Sequence, residues 1–186
     1  MENAVKPMVL GNTVYLVKKY IIDNYGLEFF EKVIKDLDPE IREILRQPIF
    51  SNKFYDVRAK VDFVTAFRSH TKSIEEVEKM TTYECDKQLG WIYGIVLKFI
   101  SFKKAMELLQ GGWSKHFNTG TEVGETDENG RNIKIKISAG YKITPAYVTH
   151  LEYYDKRIFE TIGSCKYRSS SRMVNDTDME LHYIRI

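Results

Sequence analysis

Few residues in this chain have the type and spacing to do chemistry. The first candidates to ligate a metal or move a proton near neutral pH are Cys85, Cys165 and four histidines. A structural zinc site needs four ligands in tetrahedral array, and Cys165 with the scattered His116, His150 and His182 has none of the short spacings that would nominate them. No metal is expected. His150 falls on a helix one turn from Tyr147 and Tyr154, beside Glu152. A general base needs an orienting partner, and without one His150 reads as a sheet-packing or surface residue. His116 follows Trp113 at a helix-to-strand junction, a place where a cavity can open, and otherwise reads as a capping or loop residue. Gly111-Gly112 lacks the spacing of a phosphate loop, and no Gly-x-Ser-x-Gly elbow is present. No catalytic residue is assigned, and the chain is not expected to be an enzyme.

Two constellations point to binding. Lys166, Arg168 and Arg172 alternate onto one face of a strand, where three cations suit a phosphate, a carboxylate or an acidic partner. The same residues also suit a solvated face or an edge guarded by charge, with Asp176, Asp178 and Glu180 near enough to neutralise them. The second is an aromatic excess of twelve Tyr, ten Phe and two Trp. Trp91, Phe99, Met106, Trp113 and Tyr147 are placed to line a cavity for a small hydrophobic ligand, with ordinary core packing as the other explanation.

The elements that position these residues follow from periodicity and punctuation. Val14, Val17 and Ile21 mark a helix from Asn12, its expected cap, to Gly26, and Phe30, Val33 and Ile34 mark a short second one. Asp38-Pro39-Glu40 opens a third that ends before Pro48. Phe54 to Phe67 reads as a helix, and Ser73-Ile74-Glu75-Glu76 is a capping box for the next. Gln88 to Leu109 is the most apolar stretch and the expected centre of the core, with a break near Phe99 to Ser101 and an end at Gly111-Gly112. Beyond Trp113 the period changes to two. Ile133, Ile135 and Ile137 alternate with Lys134, Lys136 and Ser138, and Asn129-Gly130 turns this strand back on Thr121 to Glu125. Thr144-Pro145 starts a long helix to Gly163. Strands near Ser164 to Val174 and Met179 to Ile186 close the pattern around Asn175 to Asp178. The class is α+β: a helical part over about 1–113, then a small antiparallel sheet with one long helix packed on it over about 114–186, taken as one domain over 1–186.

Composition sets the outer bounds. With 43% hydrophobic and 29% charged residues the chain is neither disordered nor fibrous. Two cysteines make no disulfide framework, and a net charge of +2 with mixed signs argues against a nucleic-acid binder. No segment is apolar enough to span a membrane. The opening MENAVKPMVL lacks the features of a secretory signal, so a cytoplasmic location is expected.

This order of elements resembles the heme-nitric oxide/oxygen-binding (H-NOX) superfamily. More closely it is similar to a heme-less bacterial branch of unknown function, related to four-vinyl-reductase domains and the small subunits of the TRAPP tethering complex. The residues that carry the resemblance are Val9-Leu10-Gly11-Asn12-Thr13, Leu37-Asp38-Pro39-Glu40, Tyr55 after Pro48, Leu89-Gly90, and Trp113 ahead of the hairpin. H-NOX domains hold heme through a helix histidine and a Tyr-x-Ser-x-Arg clamp. Here Phe102 to Leu109 has no histidine, Arg131 to Ser138 has no tyrosine, and in Tyr167 to Arg172 the arginine stands one residue late, which on a strand is the opposite face. The four-vinyl-reductase cysteine cluster is also missing, with Cys165 alone near the C-terminus. In the tethering relatives an acyl chain can fill a tunnel, and Cys85 is the candidate for such an attachment, or else an inert small hydrophobe. The resemblance therefore implies a non-catalytic regulatory or signalling domain without heme or other cofactor. It would bind a small hydrophobic ligand or a signalling-protein partner, or pair with itself as a homodimer. The alternative is a heme-based gas sensor with His70, His116 or His150 as an unfamiliar axial ligand, and an enzyme stands below both.

Overall fold

The computed structural model describes the backbone of residues 5–97 and 100–186 and, outside 91–97, their side chains. β1 (Met8–Leu10) leads into α1 (Gly11–Lys35), followed by α2 (Pro39–Arg46), β2 (Phe54–Asp56), α3 (Arg58–Thr71), α4 (Ile74–Leu97) and α5 (Phe102–His116). The second part holds β3 (Thr121–Thr126), β4 (Asn132–Ser138), α6 (Pro145–Gly163), β5 (Tyr167–Met173) and β6 (Asp178–Arg185). The architecture is α+β, with β1 and β2 forming a two-stranded antiparallel sheet and the other four strands lying antiparallel in the order β3-β4-β6-β5.

Local chemistry explains most boundaries. The expected stop at Gly26 is a kink inside one continuous assignment: Gly26 adopts φ 81° and ψ 169°, and helix resumes beyond it. Asp38 accepts from the Glu40 amide at 2.9 Å with Pro39 behind it, and Ser73 accepts from the Glu76 amide at 3.3 Å. Ser101 does the same for α5 at 3.2 Å, and Thr144 for α6 at 3.2 Å. The last turn is organised by Asn175, whose Oδ1 accepts from the amides of Thr177 and Asp178 at 2.8 and 2.9 Å.

Three expectations are corrected. α1 begins at Gly11, not under an Asn12 side-chain cap: the Gly11 and Asn12 amides donate to the carbonyls of Lys53 and Ser51 at 2.7 and 3.0 Å, so a neighbouring loop satisfies the helix start. Phe54 to Asp56 is a strand, held in register by Met8, Val9 and Leu10; a three-residue strand is too short to show a period. α5 runs through Gly111-Gly112 to His116, because four more helical residues bury Trp113 and let Phe117 close the helix on the Trp113 carbonyl. Of the apolar stretch Gln88 to Leu109, the side chains of 91–99 lie outside the described residues, while Ala105 and Met106 are buried in the core and Leu108 is 51% exposed. Val14, Val17, Ile21, Phe63 and Phe67 pack the helical half, and Ile133, Ile135, Ile137, Leu181 and Tyr183 form the inner face of the sheet. α6 joins the two, packed between α4 and the strand β5. Phe159 sets its ring edge against Tyr183 at a centroid distance of 5.0 Å.

Candidate functional site

Where α5 and α6 cross between the helical half and the sheet, the packing leaves a cavity of about 380 Å³. Ala105, Leu109 and Trp113 of α5, Ile137 of β4, and Leu151, Ile158 and Ile162 of α6 give it apolar walls. Exposed Leu108 and Lys115 also line it, so it reaches the surface along α5. The volume falls within the range of small-molecule sites, roughly 300–1,000 Å³.

One end is polar. Lys60 of α3 donates to Glu84 Oε2 of α4 at 2.5 Å and to the Thr13 carbonyl at 3.1 Å. Gln88, one turn on, donates to Glu84 Oε1 at 3.0 Å and accepts from the Tyr154 hydroxyl of α6 at 2.7 Å. His150 of α6 places Nδ1 2.7 Å from the Thr81 hydroxyl and Nε2 3.4 Å from Glu84 Oε2. The Thr81 proton goes to the Val77 carbonyl at 2.7 Å, so Nδ1 of His150 carries the hydrogen of that contact. Burial drives the imidazole well below its ordinary pKa, lowers Lys60 and raises Glu84. His150 is thus a neutral interior residue packed against α4, not a surface one.

Glu122 of β3 and Asp155 of α6 complete the polar end, and Oδ2 of Asp155 is fully buried with no hydrogen-bond partner among the described residues. Burial pushes the Glu122 carboxyl up to about 7, and burial with the neighbouring Glu122 charge raises Asp155 well above the carboxylate range. The two titrate as a pair.

The structure brings together only part of the set nominated from sequence. Trp113 and Tyr147 line the cavity. Trp113 donates from Nε1 to the Thr119 carbonyl at 3.0 Å and stacks on Phe117 at 4.3 Å, while Tyr147 stacks on His150 at 5.8 Å. Met106 is buried elsewhere, its sulfur under Gly124 of β3 where a Cβ would come within 2.5 Å. The side chain of Trp91 and all of Phe99 lie outside the described residues. Lys166, Arg168 and Arg172 project from the solvent side of the edge strand β5 and its approach, away from the cavity. Arg172 pairs with Glu180 at 2.6 Å and Lys166 with Glu160 at 3.6 Å, so the stripe does not converge on one anion. His70 pairs with Asp36 at 2.9 Å on the surface. Cys85 is buried and its thiol is pushed well up by burial, the condition of an inert thiol. Among the described residues no three His, Cys, Asp or Glu side chains gather to hold a metal.

Sequence reasoning missed Lys60, Glu84, Glu122 and Asp155. A signal was present: Asp155 interrupts the row Leu151, Ile158, Ile162 at core spacing, and Lys60 sits among Val57, Val61 and Val64 in the same way.

The same arrangement of helices and sheet occurs in solved structures. The unliganded Fe(II) H-NOX protein from K. algicida superposes with a TM-score of 0.65 at 10% identity, covering 95% of this chain and 96% of that one. An oxygen-binding H-NOX domain related to soluble guanylate cyclases, in its oxygen complex, gives 0.58 at 9% identity over 94% of each chain. A mutant of the T. Tengcongensis H-NOX gives 0.53 at 10% identity over 94% of this chain and 96% of that one. The chain therefore has the H-NOX fold over nearly its whole length. No protein-family model matches it, and no curated protein matches it by sequence.

Proposed function

We propose that this chain is a non-catalytic regulatory domain of the H-NOX fold that binds a small, largely apolar molecule in its interior cavity, as a heme-less relative of the gas sensors. The observation that carries this reading is the cavity of about 380 Å³ itself, apolar on three walls and polar at one end. An open cleft of that size with mainly apolar walls and a few polar groups at one end is the form a small-molecule site takes.

Heme, the group that the fold implies, meets one favourable wall and one unfavourable one. His116 lines the cavity, and its Nδ1 donates to the Gly112 carbonyl at 2.9 Å, the kind of bond that fixes the ring of a metal-ligating imidazole and leaves Nε2 free. Burial lowers its pKa and keeps it neutral. The polar end offers no cation among the described residues for a porphyrin's two propionates: it presents Glu84, Glu122 and Asp155, and its interior lysine already belongs to Glu84. The residues do not fit heme. The catalytic reading is weaker still, because His150 is enclosed and already oriented inward by Thr81.

Calorimetric titration with n-octanol tests the ligand reading: saturable one-to-one binding is expected, lost when Ala105→Phe fills the cavity. Absence of binding by the unaltered protein overturns it. Hemin added to the same protein is expected to give no Soret shift.

A further inference from the structure

Two carboxyls line the polar end of the cavity, and one of them has an oxygen without a partner among the described residues. Asp155 is 4% exposed, and its Oδ2 is fully buried with no hydrogen-bond partner among the described residues. Tyr183 brings a hydroxyl near it, but a phenol has one proton, and the Tyr183 hydroxyl points to the Glu152 carbonyl at 3.1 Å. Glu122, 8% exposed, reaches the same space from β3. Interior polar groups are almost always paired, so an orphaned oxygen on a carboxyl that lines a cavity points to a missing donor.

The surroundings select that donor. Lys60 is cancelled by Glu84, burial holds His150 and His116 neutral, and Lys115 sits exposed at the mouth, so no interior cation among the described residues serves the pair. A divalent ion would want further His, Cys, Asp or Glu ligands, and among the described residues no such cluster of three exists. A primary ammonium brings three donors and no acceptor, and charge-assisted bonds to two carboxyls offset its desolvation. We propose that the cavity binds an amphipathic amine, its ammonium held between Asp155 and Glu122 and its apolar body against Leu109, Trp113, Leu151 and Ile158. This rests on the ligand reading above and names the class of ligand. On binding, the ammonium keeps its protons, and the carboxyl pair, protonated by burial when the cavity holds no cation, gives one up to solvent.

Titration of the whole protein with n-octylamine, n-octanol and n-octanoate separates the possibilities. Octylamine is expected to bind at least about tenfold tighter than octanol, with octanoate weakest. Asp155→Asn and Glu122→Gln should each bring octylamine down to the octanol level and leave octanol unchanged. Both replace a buried carboxyl with a neutral amide of nearly the same shape, so both are expected to fold, and circular dichroism checks it. Titrations in buffers of different ionisation enthalpy should show a proton released with octylamine and none in Asp155→Asn. Octanol binding without an amine preference, or a preference that survives both substitutions, overturns the amine assignment alone. Failure of octanol and octylamine alike overturns the ligand reading and the amine assignment together.

Discussion

Lys60 Nζ lies 2.5 Å from Glu84 Oε2 with both side chains 2% exposed, an interior ion pair that ties α3 to α4 at the edge of the cavity. The Thr13 carbonyl accepts a second proton of Lys60 and Gln88 donates to the other oxygen of Glu84, so each member of the pair has a further partner within the protein. Asp155 beside it keeps one oxygen, Oδ2, without a partner among the described residues, and that contrast separates a paired half of the polar end from an open one.

Removing one member of the interior pair leaves a bare buried charge. Lys60→Met is expected to cost about 3–5 kcal/mol in urea unfolding. The double substitution Lys60→Met with Glu84→Met should recover most of that loss, since replacing both ions with apolar groups is often near neutral.

The carboxyl pair predicts an unusual pH profile. Burial raises Glu122 from 4.5 to about 7, so between those values the native state holds a proton that the unfolded chain has released. Stability should therefore fall as pH rises through that window, by up to about 3 kcal/mol. Glu122→Gln should flatten the profile in denaturant melts, and an unchanged slope would show that the carboxyl is not desolvated.

Asp56 predicts the opposite sign at lower pH. Burial alone would raise its carboxyl, but hydrogen bonds from the Arg58 side chain and backbone and from Lys6 pull it down to about 2. Its contribution is full above about 3.8 and is lost as pH falls towards 2. With Arg58 and Lys6 facing water, the contribution is about 1–2 kcal/mol, and Asp56→Asn should remove it when acid unfolding is compared.

Cys85 should resist thiol reagents in the folded protein and react readily once unfolded. Its thiol is fully buried and its pKa is raised by that burial. Rapid native labelling would reopen Cys85 as an attachment point; slow labelling, with an intact mass matching the bare chain, fits an inert core residue.

Much of the fold was legible because its signals are local. Asp38-Pro39, Ser73 to Glu76, Thr144-Pro145 and Asn129-Gly130 each stop or start an element through a bond or a backbone preference contained in a few residues, and the structure shows each in place. The strand at Phe54 was not legible, because its partner Met8 to Leu10 is distant in sequence and neither segment is long enough to alternate. The cavity was half legible. Trp113 and Tyr147 follow from aromatic content, but Lys60, Glu84, Glu122 and Asp155 are the residue types that sequence reasoning sends to the surface. Their burial depends on four different elements meeting, which no single window contains.

The mass of the purified protein, measured under native and then denaturing conditions, tests the central claim most directly. A native excess of small-molecule size that denaturation releases, with no heme in it, is the predicted result. Identical native and denatured masses, together with no uptake of octanol or octylamine on addition, would contradict the claim that the cavity is a binding site.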